Sequence, residues 1–287
     1  MNANWPAHVL CPVDFSPPSA AALRFAGELV EATHAGLTIL HAHHWEAPPY
    51  FTPAQIAALN EQFGDAMREA DRALEEFAAR ERPNLRARRI VVDAAPADAI
   101  LRAAREDAAD LVVMGTHGRS GFNRFLLGSV AERLLRESTI PVVTVRAPDA
   151  GAAGPRPVRR ILCPINDSAE AKHSLQAAAR LASSFKAELI ALHVIEKGVA
   201  GRPPDPCVWL SEQERKACDL RPVVESGDAA GSILRAAANF SADLLVIAAR
   251  RRPFADALIV GSTTVRVVRH SPAPVLTIPA PQPVPEA

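Results

Sequence analysis

The chain has little cysteine, no excess charge of either sign and no long apolar run. Its four cysteines, Cys11, Cys163, Cys207 and Cys218, form no CxxC pair and are too few for a disulfide scaffold. Cys11 and Cys163 sit inside the apolar runs VLCPV and ILCPI, where a small buried thiol is the natural reading. Lys+Arg and Asp+Glu balance at 32 each, so nothing drives binding to nucleic acid or an acidic membrane through phosphate neutralisation. No stretch approaches about 18 uninterrupted apolar residues, and MNANWPAHVLCPV lacks a basic segment followed by an apolar run and a cleavage site. A soluble cytoplasmic protein is therefore expected. Two familiar nucleotide motifs are also missing: there is no GxxxxGK[ST] and no GxGxxG.

What the chain does contain is an internal repeat. VLCPVDFS, Val9 to Ser16, returns as ILCPINDS, Ile161 to Ser168, at an offset of 152, and LTILHAHH returns as LIALHVIE at the same offset. ADLVVMG returns as ADLLVIA, and GSVAERLLRESTIPVVTV as GSTTVRVVRHSPAPVLTI, at an offset of 133. The second half is thus 152 − 133 = 19 residues shorter between its second strand and its later elements. A length of 287 residues suits two domains of about 140 residues each. We assign them to 1–147 and 158–280, with an Ala, Gly and Pro-rich linker at 148–157 and a loose proline-rich tail at 281–287.

Short β-branched runs alternate with alanine-rich amphipathic segments, the pattern of βαβ units around a mostly parallel sheet. In the first half the strands are expected in HVLCPV, LTILHAH, ARRIVVD, DLVVMG and PVVTV. Ser16 should open one helix, and Thr52 should cap a long one reaching Glu81. Strands this apolar are covered on both faces, so the predicted fold is α/β: two doubly wound, mostly parallel five-stranded sheets flanked by helices, Rossmann-like. In such sheets ligands bind beyond the carboxyl ends of the strands. Asp14 follows the first strand, Ala42 to His44 end the second, Ala94 to Pro96 follow the third, and Gly115 closes the fourth.

The strongest local signal is Gly115-x2-Gly118-x9-Gly128-Ser129, between an apolar strand and a helix starting near Ser129. Glycines at such a turn let backbone amides approach an anion without a Cβ in the way, and a helix N-terminus adds unpaired N–H groups and partial positive charge. The Ser129 hydroxyl could add a hydrogen bond, and the Asp14 carboxylate could accept ribose hydroxyls. The plainer alternatives are that the glycines make turns, Ser129 caps its helix, Asp14 initiates the helix after it, and Pro12 fixes the turn. His41, His43 and His44 cluster at a strand end, but His44 points away from the other two and no cysteine or carboxylate completes a metal motif, so no metal is assigned to them. His117, Arg119 and Arg124 could face a phosphate, or equally well solvent.

With its VLCPVDFS start, RSGFNRFLLGSVAERLL and closing PVVTVR, the chain resembles the universal stress protein family, in its tandem two-domain form, over nearly its whole length. The resemblance implies ATP bound in the first domain. Asp14 would lie at the nucleoside, main chain around Ala42 at the adenine edge, Gly115 and Gly118 near ribose and phosphates, and Gly128 and Ser129 at the distal phosphates, with Pro12 beside Asp14. Ala42 departs from the family's valine, a change that a main-chain contact tolerates. Mg2+ or Mn2+ is implied only as the companion of ATP. Family members pair through the closing strand, which here would join PVVTV to PVLTI within one chain as a pseudo-dimer, with a homodimer of chains as a further option.

The second half departs from this pattern. Asn166 stands in the place of Asp14, Ala248 in that of Gly115 and Arg251 in that of Gly118, while Gly261 and Ser262 are kept and read as a helix start. The second site is expected to be lost or weakened. Arg250, Arg251 and Arg252 suit a solvated basic patch, or else a different anion. The leading functional expectation is a regulatory, ATP-binding stress-response protein without catalytic residues. Its alternatives are a slow ATPase, which lacks a recognisable Walker aspartate, general base or arginine finger, and a nucleotide-independent interaction scaffold.

Overall fold

Ser16 starts the first helix in the way its position predicts. Its Oγ accepts from the Ser19 N–H at 3.4 Å, and Pro17 and Pro18 occupy the first helical positions, where a missing N–H costs nothing. Ser168, 152 positions on, accepts from the Ala171 N–H at 3.2 Å in the same role. The repeat extends to the helix ends, where His34 and Lys186 both adopt the left-handed conformation at φ 58° and 54°.

The computed structural model describes residues 5–43, 53–118, 127–147, 157–196, 203–249, 251–254 and 257–280. The first half runs β1 (His8–Pro12), α1 (Pro17–Thr33), β2 (Gly36–His43), α2 (Pro53–Glu81), β3 (Arg88–Asp93), α3 (Pro96–Glu106), β4 (Leu111–Gly115), α4 (Ser129–Glu137) and β5 (Val142–Val145). The second runs β6 (Arg160–Ile165), α5 (Ala169–Phe185), β7 (Glu188–Ile195), α6 (Glu212–Ala217), β8 (Asp219–Ser226), α7 (Ala229–Asn239), β9 (Leu244–Ala249), β10 (Arg251–Phe254), β11 (Ala257–Val260), α8 (Ser262–His270) and β12 (Val275–Pro279). All five strands expected in the first half form. The helix expected to reach Glu81 does so; Thr52, its expected cap, lies outside the described residues. The 19-residue deficit falls where α2, at 29 residues, is answered by a 3-10 turn at Pro206–Trp209 and the six-residue α6.

Each half is a parallel five-stranded set, and the two sets join edge to edge in one ten-stranded sheet of order β3-β2-β1-β4-β5-β12-β9-β6-β7-β8. The only antiparallel step in it is β5 against β12. There Val143 pairs with its own repeat equivalent Leu276, Val142 pairs with Thr277, and Thr144 pairs with Val275. This register is self-complementary, as it is across a two-fold axis. Thr277 Oγ1 donates to the Val142 carbonyl at 2.9 Å and Thr144 Oγ1 to the Val275 carbonyl at 3.4 Å.

Alternation along each strand feeds two core layers, one on each face of the sheet. Val9, Cys11 and Val13 face the layer under α1, α2 and α5, whereas Leu10 faces the layer under α3, α4, α7 and α8. Both layers contain residues of both halves. Cys11 and Cys163 are fully buried, and burial pushes both thiols well above their ordinary range. One feature differs from expectation: the stretch after β9 is an antiparallel hairpin, β10 with β11, in the place where the first half carries its glycine-rich loop.

Candidate nucleotide site

The strand ends of the first half converge on one cavity of about 180 Å3. Its walls come from six places: Pro12 to Asp14 at the end of β1, Ser19 in the first turn of α1, Leu40 and Ala42 on β2, Pro96 and Ile100 on α3, Met114 to Gly118 at the end of β4, and Gly128 to Ala131 at the start of α4. All seven residues singled out from the sequence, Pro12, Asp14, Ala42, Gly115, Gly118, Gly128 and Ser129, line it. The floor was not anticipated. Leu40, Ile100 and Met114 are buried and apolar, which suits the face of a flat heterocycle, but by pattern alone such residues look like ordinary core.

Asp14 divides its work between two oxygens. Oδ1 accepts from the Ser16 N–H at 3.1 Å and from the Ser16 hydroxyl at 2.5 Å. Asn166 Oδ1 accepts from the Ser168 N–H at 3.1 Å and its hydroxyl at 2.6 Å, so helix initiation is preserved in the half without an aspartate. The carboxylate differs from the amide at its second atom. Oδ2 of Asp14 faces Gly118, where a Cβ would stand only 2.7 Å from it. The helix-start and site readings of Asp14 thus apply to different atoms of one side chain.

The glycine-rich turn is closed at its base. The Thr116 N–H donates to the Val145 carbonyl at 2.9 Å, and the Gly128 N–H donates to the Thr116 carbonyl at 2.8 Å, bringing the end of β4 against the start of α4. Gly128 is the N-cap of α4 and Ser129 its first helical residue, with no side-chain cap bond. The capping reading of Ser129 is therefore corrected: the exposed hydroxyl stands at the helix entrance beside the cavity. His117 Nδ1 lies 2.9 Å from Thr116 Oγ1, while its buried Nε2 has no hydrogen-bond partner among the described residues. Burial, and then the charge of Arg146, hold this imidazole below its ordinary range and hence neutral at pH 7. Arg119 and Arg124 lie outside the described residues.

Gly115 has a packing cause of its own. A Cβ there would stand 2.9 Å from Pro18 C and Cβ and 3.0 Å from Ser19 N, in the first turn of α1. This corrects the inference that Gly115 is a glycine for the sake of a ligand, because α1 already demands it. In the second half Ala248 meets α5, which carries Ala169 and Glu170 in place of the two prolines. There Thr264, at the position of the cavity-lining Ala131, donates its hydroxyl to the Ala248 carbonyl at 3.1 Å and is itself buried. The residues after β9 continue into the hairpin. The side chains of Arg250, Arg251 and Arg252 lie outside the described residues.

Of the histidine cluster, His41 is buried, stacks on Phe15 at 4.4 Å between ring centroids and bonds the Val13 carbonyl through Nδ1 at 2.8 Å. Its repeat equivalent His193 bonds the Ile165 carbonyl at 3.1 Å, so the residue ties the ends of adjacent strands in both halves. His44 lies outside the described residues. Among the described residues no group of three His, Cys, Asp or Glu side chains could hold a metal ion, and no helix is long and apolar enough to cross a membrane.

The model of the universal stress protein family matches the chain twice, over residues 7–146 and 157–279. The chain belongs to the universal stress protein family. Among curated members, universal stress protein YxiE of Bacillus subtilis is 34% identical over 146 residues, which cover 48% of this chain and 97% of that protein. A universal stress protein of Mycolicibacterium smegmatis is 37% identical over 146 residues, covering 48% of this chain and 45% of its own length. The match to universal stress protein MJ0531 of Methanocaldococcus jannaschii spans 34% of that protein, so this chain covers less than half the length of either of the last two relatives. The crystal structure of a universal stress protein from Archaeoglobus fulgidus superposes with a TM-score of 0.69 at 22% identity, covering 97% of this chain and 99% of that one, and shares the tandem universal stress protein fold.

Proposed function

We propose that this tandem universal stress protein binds an adenine nucleotide, ATP, in its first half and acts as a cytoplasmic stress-response regulator through occupancy rather than turnover. The carrying observation is the convergence of Asp14, Ala42, Gly118 and the start of α4, from four separate segments, on a cavity with an apolar floor and a polar rim. The residues suit the ligand. A Cβ at Gly118 would fill the cradle beside Asp14, and the neutral His117 leaves a buried nitrogen without a described partner on the same wall. Leu40, Ile100 and Met114 would take the base, main chain at Ala42 its polar edge, and Asp14 Oδ2 the ribose hydroxyls. The amides of Ser129 and Val130, at the first positions of α4, with the Ser129 hydroxyl, would take phosphate oxygens. ATP would bring Mg2+ or Mn2+ with its phosphates.

Turnover has less support. Asp14 is the one carboxylate among the described residues lining the cavity, and its Oδ1 is committed to Ser16. The second half is read as non-binding: its Asn166 carries a donor amide nitrogen where Asp14 has its second acceptor oxygen, and Thr264 is bonded across the equivalent of the cavity wall. The β5–β12 register supports a pseudo-dimer of the two halves.

A thermal-shift titration tests the reading. ATP at 100 times its dissociation constant should stabilise the protein by about 2.7 kcal/mol, and Gly118→Arg, which copies the second half, should abolish the shift. An unchanged melting temperature in wild type would leave the scaffold alternative standing. Rapid phosphate release by wild type, lost in Ser129→Ala, would instead favour the ATPase.

A further inference from the structure

The helix that would hold the phosphates carries a negative charge at the wrong end for an anion. Glu132 lies in the first turn of α4, and its N–H makes the helix's opening bond to the Gly128 carbonyl at 2.9 Å. That places it about 6 Å along the axis from the N-cap, at a rise of about 1.5 Å per residue. A carboxylate there favours the helix dipole, but it repels an anion at the same terminus. The second half answers this charge: Arg269, in the last turn of α8, places Nη2 2.8 Å from Glu132 Oε1. The guanidinium of Arg146, at the end of β5, donates to the Arg269 carbonyl and ties that turn to the joint.

The arrangement works in one direction only. Through the 133-residue repeat, the equivalent of Glu132 is Val265 and the equivalent of Arg269 is Arg136. Arg136 lies 3.0 Å from its neighbour Glu137, and no acid faces it from α8 at the Val265 position. The half with the glycine-rich turn thus receives an arginine from the half without one. Nor is Arg269 needed to locate α4. Arg133 already locks that helix to α3 with a two-pronged contact to Asp98, at 2.5 and 3.1 Å, and β11 packs against it from the second half.

We infer that Arg269 is a charge-compensating residue of the first half's phosphate site, cancelling Glu132, and that supplying it is a function of the degenerate second half. This inference rests on the nucleotide reading above and gives the half without a site a part in the other half's affinity. Because the compensated charge is negative, its effect must grow with the charge of the ligand.

The test is the dissociation constant of ATP and of adenosine for the full chain and four variants at low ionic strength, where such effects are least screened. Arg269→Ala should weaken ATP about threefold to fivefold, the scale of a partly exposed ion pair, and leave adenosine within about twofold. Arg269→Lys should restore ATP binding, and Glu132→Gln combined with Arg269→Ala should restore it without any arginine. Glu132→Gln alone should bind ATP at least as tightly as wild type. Unchanged ATP affinity in Arg269→Ala, equal losses for ATP and adenosine, or a loss in Glu132→Gln matching that in Arg269→Ala would each overturn the inference, the last two assigning the pair to helix geometry. A wild-type chain that binds neither ligand would remove the nucleotide reading and this inference together, whereas normal wild-type binding with any of the three failures removes this inference alone.

Discussion

Gly115 and Gly118 look alike in the motif, but their missing side chains make room for different things. At Gly115 the neighbours are Pro18 and the Ser19 backbone, which cannot yield, whereas at Gly118 the neighbour is the Asp14 carboxylate, a side-chain atom at the mouth of the cavity. Gly115→Ala should therefore destabilise the protein by about 1–3 kcal/mol, the range of overpacking in a filled interior, in urea denaturation without ligand. Gly118→Ala should cost less stability and more nucleotide affinity. The sequence motif was legible as a unit, yet nothing in its spacing could assign one glycine to helix packing and another to the ligand side; that depended on Pro18 and Ser19, in the first turn of a helix far away in the chain. Two histidines make a second prediction at this scale. Burial holds His117 and His173 below their ordinary value of 6.5, with Arg146 and Arg180 respectively adding to the effect. The unfolded chain then binds protons that the native state refuses, so stability is complete above about pH 6.5 and falls as the pH drops below it toward the depressed native values. His117→Gln and His173→Gln should each flatten that fall in denaturation series run between about pH 7.5 and about pH 5.5, and a slope unchanged in both would refute the assignment.

Among the elements, the β4 and β9 strands are locked to their neighbours by a device the sequence displayed without its meaning being read. Asp110 accepts the Ala7 N–H at 2.9 and 3.1 Å through its two oxygens and the His8 N–H at 3.1 Å. Asp243, its equivalent, accepts the Arg159 and Arg160 N–H groups at 2.9 and 3.0 Å. Each carboxylate thus satisfies the amides just ahead of, or opening, the first strand of its half. Asp110→Ala should cost about 1.5–3 kcal/mol, the range for hydrogen bonds to a charged group, and Asp243→Ala a similar amount, both read as shifts in the urea midpoint at constant slope. The aspartate heads both ADLVVMG and ADLLVIA, so the signal was present, but a polar residue before an apolar run looks like any strand boundary. The strands and helices themselves were readable, since alternation and Ser caps are local properties. The β10–β11 hairpin was not, because its repeat equivalent is a glycine-rich segment and its pairing depends on residues of the second half alone. Thr264 was likewise hidden: a threonine in the first turn of a helix gives no hint that its hydroxyl will bond the Ala248 carbonyl 16 residues back.

Over the whole molecule, the question is whether the two halves behave as one cooperative unit. The β5–β12 joint is four and five residues long, yet it continues both core layers: Val143, Val145, Leu276 and Ile278 on one face, Val142 and Val275 on the other. Neither strand has a free edge in this arrangement, so opening the joint would expose two unpaired ladders as well as apolar surface. One calorimetric transition is therefore expected for the full chain, with calorimetric and van't Hoff enthalpies in agreement. Two substitutions separate coupling from stability. Leu162 and Leu276 are both fully buried, but Leu162 lies inside the second half on β6, whereas Leu276 sits opposite Val143 at the centre of the joint. Truncating either to alanine removes about 2–5 kcal/mol of packing. In Leu162→Ala that loss falls on one half while the joint stays whole, so both halves should still unfold together at a lower temperature. In Leu276→Ala it falls on the contact that couples them, and the transition should broaden or split. Two separated transitions in wild type would mean that the continuous sheet joins the halves in space without joining them in stability, whereas a single sharp transition in both variants would mean that the coupling does not depend on Leu276.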